Sequence, residues 1–123
     1  MDIKYSFNAS PGSIKSIETG GKYLFVSSYD ESIRIYDARK FREIGLLEGH
    51  SSTILQMKNF KNMLYSSSDE GKILVWKHGD WALIKTFKEN KVGVNDIFID
   101  DSGRIMLSIS KDNRLFIWNL INV

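Results

Sequence analysis

The stretch "SSYDESIRIYD", from Ser27 to Asp37, decides the fold because the chain contains two further versions of it. They are "SSSDEGKILVWK", which starts at Ser66, and "SISKDNRLFIWN", which starts at Ser108. Each version combines serines, an acidic turn and an apolar run that ends in Tyr or Trp before a polar residue. Such self-similarity at a near-constant spacing predicts an architecture of similar units packed side by side.

The spacing of these units is close to 40 residues. Tyr36 and Trp76 are 40 residues apart, and Trp118 follows after 42, with the two extra residues in the turn "DDSGR". The sequence therefore predicts three repeats, over residues 1–40, 41–80 and 81–123, with the insertion in a loop.

Each repeat has the composition of short antiparallel strands, since β-branched and aromatic runs are separated by turns rich in Gly, Asp, Asn and Ser. In the third repeat we predict four strands, at residues 83–87, 94–99, 105–110 and 115–120. The runs "KILVW" and "RLFIW" are apolar at consecutive positions, which indicates sheets that are covered on both faces. The predicted fold class is all-β.

Four short strands in about 40 residues, with a final Trp or Tyr before a polar residue, resemble the WD-repeat family of β-propellers. The family's signature pair appears as "YD", "WK" and "WN", at Tyr36-Asp37, Trp76-Lys77 and Trp118-Asn119. Its Gly-His pair is kept once, at Gly49-His50, and its turn acid corresponds to Asp30, Glu70 and Asp112.

The resemblance implies a structural role for these signature residues. In such a unit, His50 donates to the carboxylate of Glu70 and accepts from a serine of residues 66–68, close to Trp76, because buried polar groups need partners. Since Glu is one methylene longer than Asp, we expect this set to be looser in the second repeat. Ala9-Ser10 and Glu89-Asn90 replace Gly-His in the outer repeats.

A closer resemblance comes from the order of the irregularities along the chain. A Tyr-Asp repeat is followed by a Trp repeat with a second Trp at Trp81, and then by a repeat that reads "DSGRIMLSISKDNRLFIWNL". This order is similar to the amino-terminal part of the p21-activated kinase-interacting WD-repeat proteins. That resemblance implies an inhibitor that binds p21-activated kinase, ribosome assembly factors as further partners, and a role in large ribosomal subunit maturation in the nucleolus.

Three repeats are too few to close a ring, because closed propellers have typically four to eight blades. We therefore expect an incomplete arc with two apolar flanks. Two copies could close six blades as a homodimer, with residues 3–7 of one chain completing the last sheet of the other. The alternative is that the chain is a fragment of a seven-bladed propeller.

Charge and composition favour a protein partner over a nucleic acid or a membrane. The counts of Lys and Arg against Asp and Glu are 6 to 5, 5 to 5 and 6 to 5 in the three repeats, so basic residues are interleaved with acids rather than clustered. RNA binding, or binding to a pre-ribosomal particle through lysines, is the alternative function. The chain has no cysteine and no apolar run of membrane length, which favours an intracellular protein without disulfides.

The sequence predicts no catalytic residue, no metal and no cofactor. Of the two histidines, His50 has the structural role above, and His78 lies in the polar turn "KHGD". The serines lack the "G-x-S-x-G" pattern of a nucleophile elbow, and paired acids such as Asp69 and Glu70 recur at the turn position of the repeat. We therefore expect a non-enzymatic interaction scaffold.

Candidate contact residues stand just before the turn acids, at Tyr29, Asp69 and Lys111. These equivalent positions differ sharply in chemistry, and variation on a regular scaffold suits recognition better than folding. Alternation along the strands places them at one end of every unit, together with the loops before the first strands. Trp81 is a second candidate at the opposite end, and packing over the outer strand is its alternative role.

Overall fold

The computed structural model describes residues 6–10, 12–88 and 92–121, and the regular elements of these residues are all β-strands. The first sheet contains β1 (Ile14–Gly20), β2 (Tyr23–Ser28), β3 (Ser32–Asp37) and β4 (Glu43–Glu48). The second contains β5 (Ile54–Phe60), β6 (Met63–Ser68), β7 (Ile73–Lys77) and β8 (Leu83–Phe87). The third contains β9 (Val94–Ile99), β10 (Ile105–Ser110) and β11 (Leu115–Asn119). Within the described ranges there is no helix that could cross a membrane.

Consecutive strands of each sheet pair antiparallel, so the predicted all-β arrangement of hairpins is confirmed. The insertion "DDSGR" lies in the connection between β9 and β10, as expected. The connections β3–β4 and β7–β8 share one shape, since Phe41 and Trp81 both have left-handed backbone, with φ of 54° and 58°. The repeat in sequence is therefore also a repeat in backbone geometry.

The strand at Leu83–Phe87 belongs to a different sheet from the rest of its repeat. It pairs with β7, with Ile73 opposite Phe87, and so completes the second sheet. Sheets are thus offset from sequence repeats by one strand, and the third sheet has three strands among the described residues. The strand that we predict at residues 3–7, which would complete the last sheet of a second copy, lies largely outside the described residues.

The three sheets stack face to face in an arc, with β5 lying between β1 and β9. We call the contact of the first and second sheets the first junction and that of the second and third sheets the second junction. Side chains that point from β2, β3 and β4 meet those of β5, β6 and β7 in the first junction. Its buried members are Phe25, Ile33, Ile35, Leu47, Ile54, Met57, Leu64, Leu74 and Trp76.

The second junction uses the opposite face of the second sheet. Tyr65, Ile73, Val75 and Phe87 contribute from that sheet, and Val94, Ile97 and Met106 from the third sheet. Both faces of "KILVW" are therefore covered, as the sequence predicts. Each Å² of apolar surface that is buried contributes about 25 cal/mol to stability. Because the two junctions contain most of the buried apolar side chains, they are the main source of stability.

The prediction that "RLFIW" is covered on both faces is wrong for this arc. Trp118 packs into the second junction, whereas Leu115 and Ile117 on the other face are 61% and 70% exposed. The reason is that, among the described residues, no fourth sheet packs against this face. The arc is open, and the apolar residues of its outer face are accessible to water.

Candidate partner-binding site

One end of the arc carries the acidic turns, and we call it the turn-acid end. The backbone N–H groups of Tyr29, Asp69 and Lys111 each donate to the carbonyl that precedes the first strand of the same sheet, over 2.9 to 3.2 Å. The acceptors are Ser13, Thr53 and Gly93. This shared bond fixes the three candidate residues at equivalent places.

The structure brings two of these candidates together. Lys111 Nζ lies 2.6 Å from Asp69 Oδ1, and both side chains are about half exposed. A side chain at Gly93 would collide with this pair, because its Cβ would lie 2.5 Å from Asp69 Oδ1. Tyr29 is 57% exposed, and among the described residues no hydrogen bond or ion pair joins it to the other two. The turn-acid end thus presents an aromatic ring and a separate ion pair.

Beneath Tyr29, the turn acid Asp30 organises the first turn. Its carboxylate accepts from the hydroxyls of Ser28 and Ser32 at 2.6 and 2.8 Å and from Arg34 Nη2 at 2.8 Å. Burial acts to raise the pKa of Asp30, but the two serines and Arg34 outweigh it and lower the pKa below its ordinary value. The acid is therefore committed to holding the turn.

The second turn is held by a chain of hydrogen bonds. His50 Nδ1 lies 3.0 Å from Glu70 Oε1, and His50 Nε2 lies 2.7 Å from Ser66 Oγ. Trp76 Nε1 donates to the same Ser66 oxygen at 3.0 Å. Since a carboxylate only accepts, Nδ1 of His50 carries the proton and the Ser66 hydroxyl donates to Nε2. The expected loosening by the longer Glu70 is not observed, because the extra methylene lets its carboxylate also accept from the Ser51 backbone at 3.0 Å.

These contacts determine the protonation of the pair. Burial acts to raise the pKa of Glu70, but hydrogen bonds from Ser51, His50 and Ser68 outweigh it and hold the pKa at about 2. Burial lowers the pKa of His50, against the opposing effect of Glu70. A neutral imidazole between a serine and a carboxylate suits a structural link.

The outer sheets replace parts of this network. In the first sheet, the Tyr36 hydroxyl donates to the carbonyl of Ala9 at 2.7 Å, in place of a histidine link. In the third sheet, Trp118 Nε1 donates to Ser108 at 2.9 Å, and the Ser110 hydroxyl donates to Asp112. Glu89 and Asn90 lie outside the described residues.

Two further signature residues, Gly49 and Asp37, act in packing and in closing a turn. Gly49 packs under the ring of Trp76, where a Cβ would lie 2.7 Å from the ring, so this position requires glycine. Asp37 accepts from the backbone N–H groups of Arg39 and Lys40 at 2.8 and 2.9 Å and closes the β3–β4 turn. These hydrogen bonds lower the pKa of Asp37.

The opposite end of the arc, which we call the lysine end, contains Trp81. The Trp81 ring lies edge-on to Tyr23, with centroids 4.9 Å apart, and 5.6 Å from Phe25. It is partly buried against the first junction, so it packs across two sheets rather than over the outer strand of its own. Sequence reasoning missed this cross-sheet contact because strand periodicity gives no information about neighbouring sheets.

Sequence reasoning also placed His78 in a solvated loop, which is only partly correct. Its Nε2 donates to Asn59 Oδ1 at 2.7 Å, and its ring lies 5.3 Å from those of Tyr23 and Trp81. Burial lowers the pKa of His78. The signal available in the sequence was the proximity of His78 to Trp81, three residues later. Among the described residues, no three acids or histidines gather to hold a metal.

Comparison with known families decides what this arrangement belongs to. The family described as "WD domain, G-beta repeat" matches residues 2–37, 41–77 and 81–119. The chain belongs to the WD-repeat family. It is a protein-interaction scaffold of that family, built as an open arc of its repeats.

Curated relatives confirm the closer resemblance to kinase-interacting WD-repeat proteins. The chain is 34% identical over 118 residues to the p21-activated protein kinase-interacting protein 1-like of Gallus gallus, which covers 95% of the chain and 32% of that protein. It is 35% identical to Protein MAK11 of Saccharomyces cerevisiae, over 97% of the chain and 33% of that protein. It is 29% identical to the Shk1 kinase-binding protein 15 of Schizosaccharomyces pombe, over 94% of the chain and 35% of that protein. The chain spans about a third of the length of these relatives.

Solved structures show the same fold. A chain of the mitotic checkpoint complex superposes with a TM-score of 0.82 at 21% identity, over 87% of this chain and 34% of that one. The computationally designed Ika4 protein superposes with a TM-score of 0.78 at 21% identity, over 87% of this chain and 66% of that one. At this identity the likeness establishes the fold alone.

Proposed function

We propose that this repeat arc is a non-enzymatic scaffold that binds a p21-activated kinase or ribosome assembly factors, and that it acts in the nucleolus during large ribosomal subunit maturation. The observation that carries the proposal is similarity to relatives whose names state kinase interaction, over 95% of the chain in the Gallus gallus protein. The regular scaffold with chemically different residues at equivalent turns supports recognition of a protein. The turn-acid end, with Tyr29, Asp69 and Lys111, is the contact surface in this proposal.

The proposal also accounts for the two exposed apolar flanks of the arc. They are covered by further WD-type blades, which a second copy of the chain supplies in a closed homodimer. The mass of the purified chain in solution, measured by light scattering over a range of concentrations, tests this part. A dimer at every concentration supports closure by a second copy, and a stable monomer refutes it.

Calorimetric titration of the chain with purified p21-activated kinase tests the partner. We expect binding that Tyr29→Ala weakens by about tenfold, as expected for an aromatic contact at an interface centre. Lys15→Glu serves as a control for an exposed change elsewhere, because Lys15 is exposed on β1, outside the predicted contact residues. If the kinase does not bind, or if Tyr29→Ala has no more effect than the control, this contact surface is wrong.

Salt dependence separates a protein partner from RNA. Phosphate contacts lose roughly 10³-fold or more in affinity between about 50 and 200 mM salt, whereas an aromatic-centred protein interface loses little. We expect the second behaviour. Steep salt dependence with a labelled oligouridine, and no kinase binding, would support the RNA-binding alternative instead.

A further inference from the structure

The lysines of the lysine end lack the acidic partners that cations have at the turn-acid end. Over residues 6–10, 12–88 and 92–121, every ion pair of the structure uses Asp30, Asp69 or Glu70, which are residues of the acidic turns. Lys22, in the β1–β2 turn of the opposite end, and Lys77, at the end of β7, take part in none of them. Uncompensated cations on one surface attract anionic ligands.

Three acids of the lysine end, Asp37, Asp80 and Asp100, are hydrogen-bonded within their own turns. Asp37 accepts from two backbone N–H groups of its turn, and Asp80 accepts from the N–H of Ala82 at 3.1 Å. Asp100 likewise accepts from the Ser102 hydroxyl at 2.7 Å. These carboxylates hold the turns in shape and form no ion pair with Lys22 or Lys77, and Lys22 Nζ lies 5.7 Å from the centroid of the Tyr23 ring.

A cleft of about 330 Å³ opens between the first and second sheets at this end. Its lining includes Gly21, Lys22, Tyr23, Lys77, His78 and Gly79. The two lysines come from different sheets, so the cleft has a cation on each side. Between them lie the aromatic rings and exposed glycine backbone, which an extended chain can approach closely.

Packing across the first junction fixes the shape of this cleft. His78 is held by Asn59, and Tyr23 lies edge-on to both His78 and Trp81, at 5.3 and 4.9 Å. The approach of the two sheets is tight, because a Cβ on Gly20 would lie 2.4 Å from the Asn59 side chain. The cleft is therefore formed before any ligand arrives, which reduces the entropy cost of binding.

The second junction shows that packing does not require these residues. Equivalent places are identified by a shared backbone bond, since His78 N–H donates to Asn62 and Leu120 N–H donates to Arg104 over 2.9 and 2.8 Å. At the second junction, the places of Lys22, Tyr23, Lys77 and His78 are taken by Asn62, Met63, Asn119 and Leu120. Neutral and apolar residues satisfy the fold there. The cationic and aromatic set of the first junction is therefore available for recognition.

We propose that this cleft binds an acidic linear segment of a protein partner. Lys22 and Lys77 pair with its carboxylates from two sides, and Tyr23 and His78 contact the chain between them. RNA fits less well, because base stacking needs an open ring face and these rings are packed edge-on against one another. The site lies on the opposite end from Tyr29 and Lys111, so it is additional to the proposed kinase contact.

The test is a titration of the 123-residue chain with a fluorescein-labelled peptide, Gly-Glu-Glu-Leu-Glu-Glu-Leu-Gly, and with its counterpart in which Gln replaces Glu. We expect the acidic peptide to bind roughly tenfold more tightly than the neutral one. Lys22→Glu and Lys77→Glu should each weaken binding by about fivefold or more. Lys15→Glu, with the same change of charge, should have less than about a twofold effect.

Nuclear magnetic resonance places the peptide independently of affinity. The chain has three tryptophans, and Trp76 and Trp118 donate their indole N–H to serines within the sheets. We expect the peptide to shift the indole signal of Trp81 and the ring signals of His78, and to leave the other two indoles unchanged. Tyr29→Ala should leave this response intact, which separates it from the kinase contact.

Several outcomes would overturn the proposal. The acidic peptide could fail to bind up to about 1 mM, which is the affinity limit of a weak contact. The acidic and neutral peptides could bind with equal affinity. Lys77→Glu and Lys15→Glu could weaken binding of the acidic peptide to the same extent. Binding of a labelled oligouridine with the same dependence on Lys22 and Lys77, without binding of the acidic peptide, would assign the cleft to nucleic acid.

Discussion

Equivalent residues of the second and third sheets have opposite environments. Ile73 and Val75 are 1% and 2% exposed, whereas Leu115 and Ile117, at the same places one unit later, are 61% and 70% exposed. Their hydrophobicity is alike, and their strands pair in the same way. The difference comes from the neighbouring sheet: the third sheet covers this face of the second, and no described residues form a sheet on the corresponding face of the third. Burial in a stacked architecture is thus a property of the junction rather than of the strand.

The outer face of the first sheet shows the same dependence of burial on a neighbouring sheet. Ile14 and Ile17 of β1 are 53% and 63% exposed, while the equivalent Ile54 and Met57 of β5 are 0% and 1% exposed. Each outer flank therefore presents the type of surface that the next sheet would cover inside a junction. This is the structural basis for proposing that further blades cover both flanks.

The largest expected effect is the loss of a side chain from a closed junction. Ile73→Ala should lower the free energy of unfolding by about 2–5 kcal/mol, because it leaves a cavity between two sheets. Leu115→Ala, the matched change on the open flank, should alter the free energy of unfolding of the single chain by less than about 0.5 kcal/mol, and should cost as much as Ile73→Ala only in a homodimer that covers this flank. Urea denaturation followed by tryptophan fluorescence measures both.

Similar losses for these two variants would break this comparison for the single chain and would support the proposed homodimer. That result would mean that the outer flank is covered in solution. Repeating the denaturation at several protein concentrations then shows whether a second copy covers it, since stability that comes from association rises with concentration.

The next effect concerns the network under the second turn. Glu70→Gln should cost roughly 2 kcal/mol at neutral pH, because it removes the charge that accepts hydrogen bonds from His50, Ser51 and Ser68. The pKa of Glu70 is about 2 in the folded chain and 4.5 ordinarily, so its contribution is complete above pH 4.5 and is lost as the pH falls towards 2. The difference in stability between wild type and variant should shrink over that range.

His50 adds a separate dependence at higher pH. Its pKa is lowered in the folded chain, so folding favours the neutral ring, and stability should begin to fall as the pH drops below the ordinary value of 6.5. Asp30→Asn is the control for the acid effect, because Asp30 holds a turn without a histidine. If the difference in the free energy of unfolding between wild type and Glu70→Gln stays constant down to pH 2, the lowered pKa of Glu70 is contradicted.

A smaller effect is expected where the first sheet replaces the histidine link. Tyr36→Phe removes one hydrogen bond, to the carbonyl of Ala9, and should cost about 1 kcal/mol. Thermal unfolding by circular dichroism measures the change. A loss as large as that of Glu70→Gln would show that the single tyrosine bond is equivalent to the whole network of the second sheet.

The smallest effect is expected for the ion pair of the turn-acid end. Lys111→Ala should change the free energy of unfolding by less than about 1 kcal/mol, because half-exposed pairs gain little over their hydrated ions. High salt should reduce even that difference, whereas it should not reduce the effect of Ile73→Ala. A larger, salt-insensitive loss would give this pair a structural role instead of a role at the surface.

Much of the fold could be predicted from residue patterns. The strands at residues 94–99 and 105–110 were predicted with their observed bounds, and the last strand ends at Asn119 rather than at residue 120. Strand identity depends on local alternation and turn chemistry, which one segment contains in full. The sheet to which Leu83–Phe87 belongs could not be read in this way, because pairing partners depend on how repeats are offset in space.

The candidate sites follow the same division. The proximity of His50, Glu70 and Trp76 was predictable, because the repeat places them in fixed relation. The ion pair of Asp69 with Lys111 and the packing of Trp81 on Tyr23 were not predictable, since each joins side chains of different sheets. Contacts across a junction leave no periodic signal in the sequence.

The sequence by itself determined the strands, the turns, the three repeats and the polar networks within each repeat, because all of these are local. The tertiary structure alone decided which apolar faces are buried, which lysines remain without acidic partners, and where a cleft forms between sheets. The physical reason is that burial and electrostatic pairing depend on what lies across a junction, and identical strands can have different neighbours.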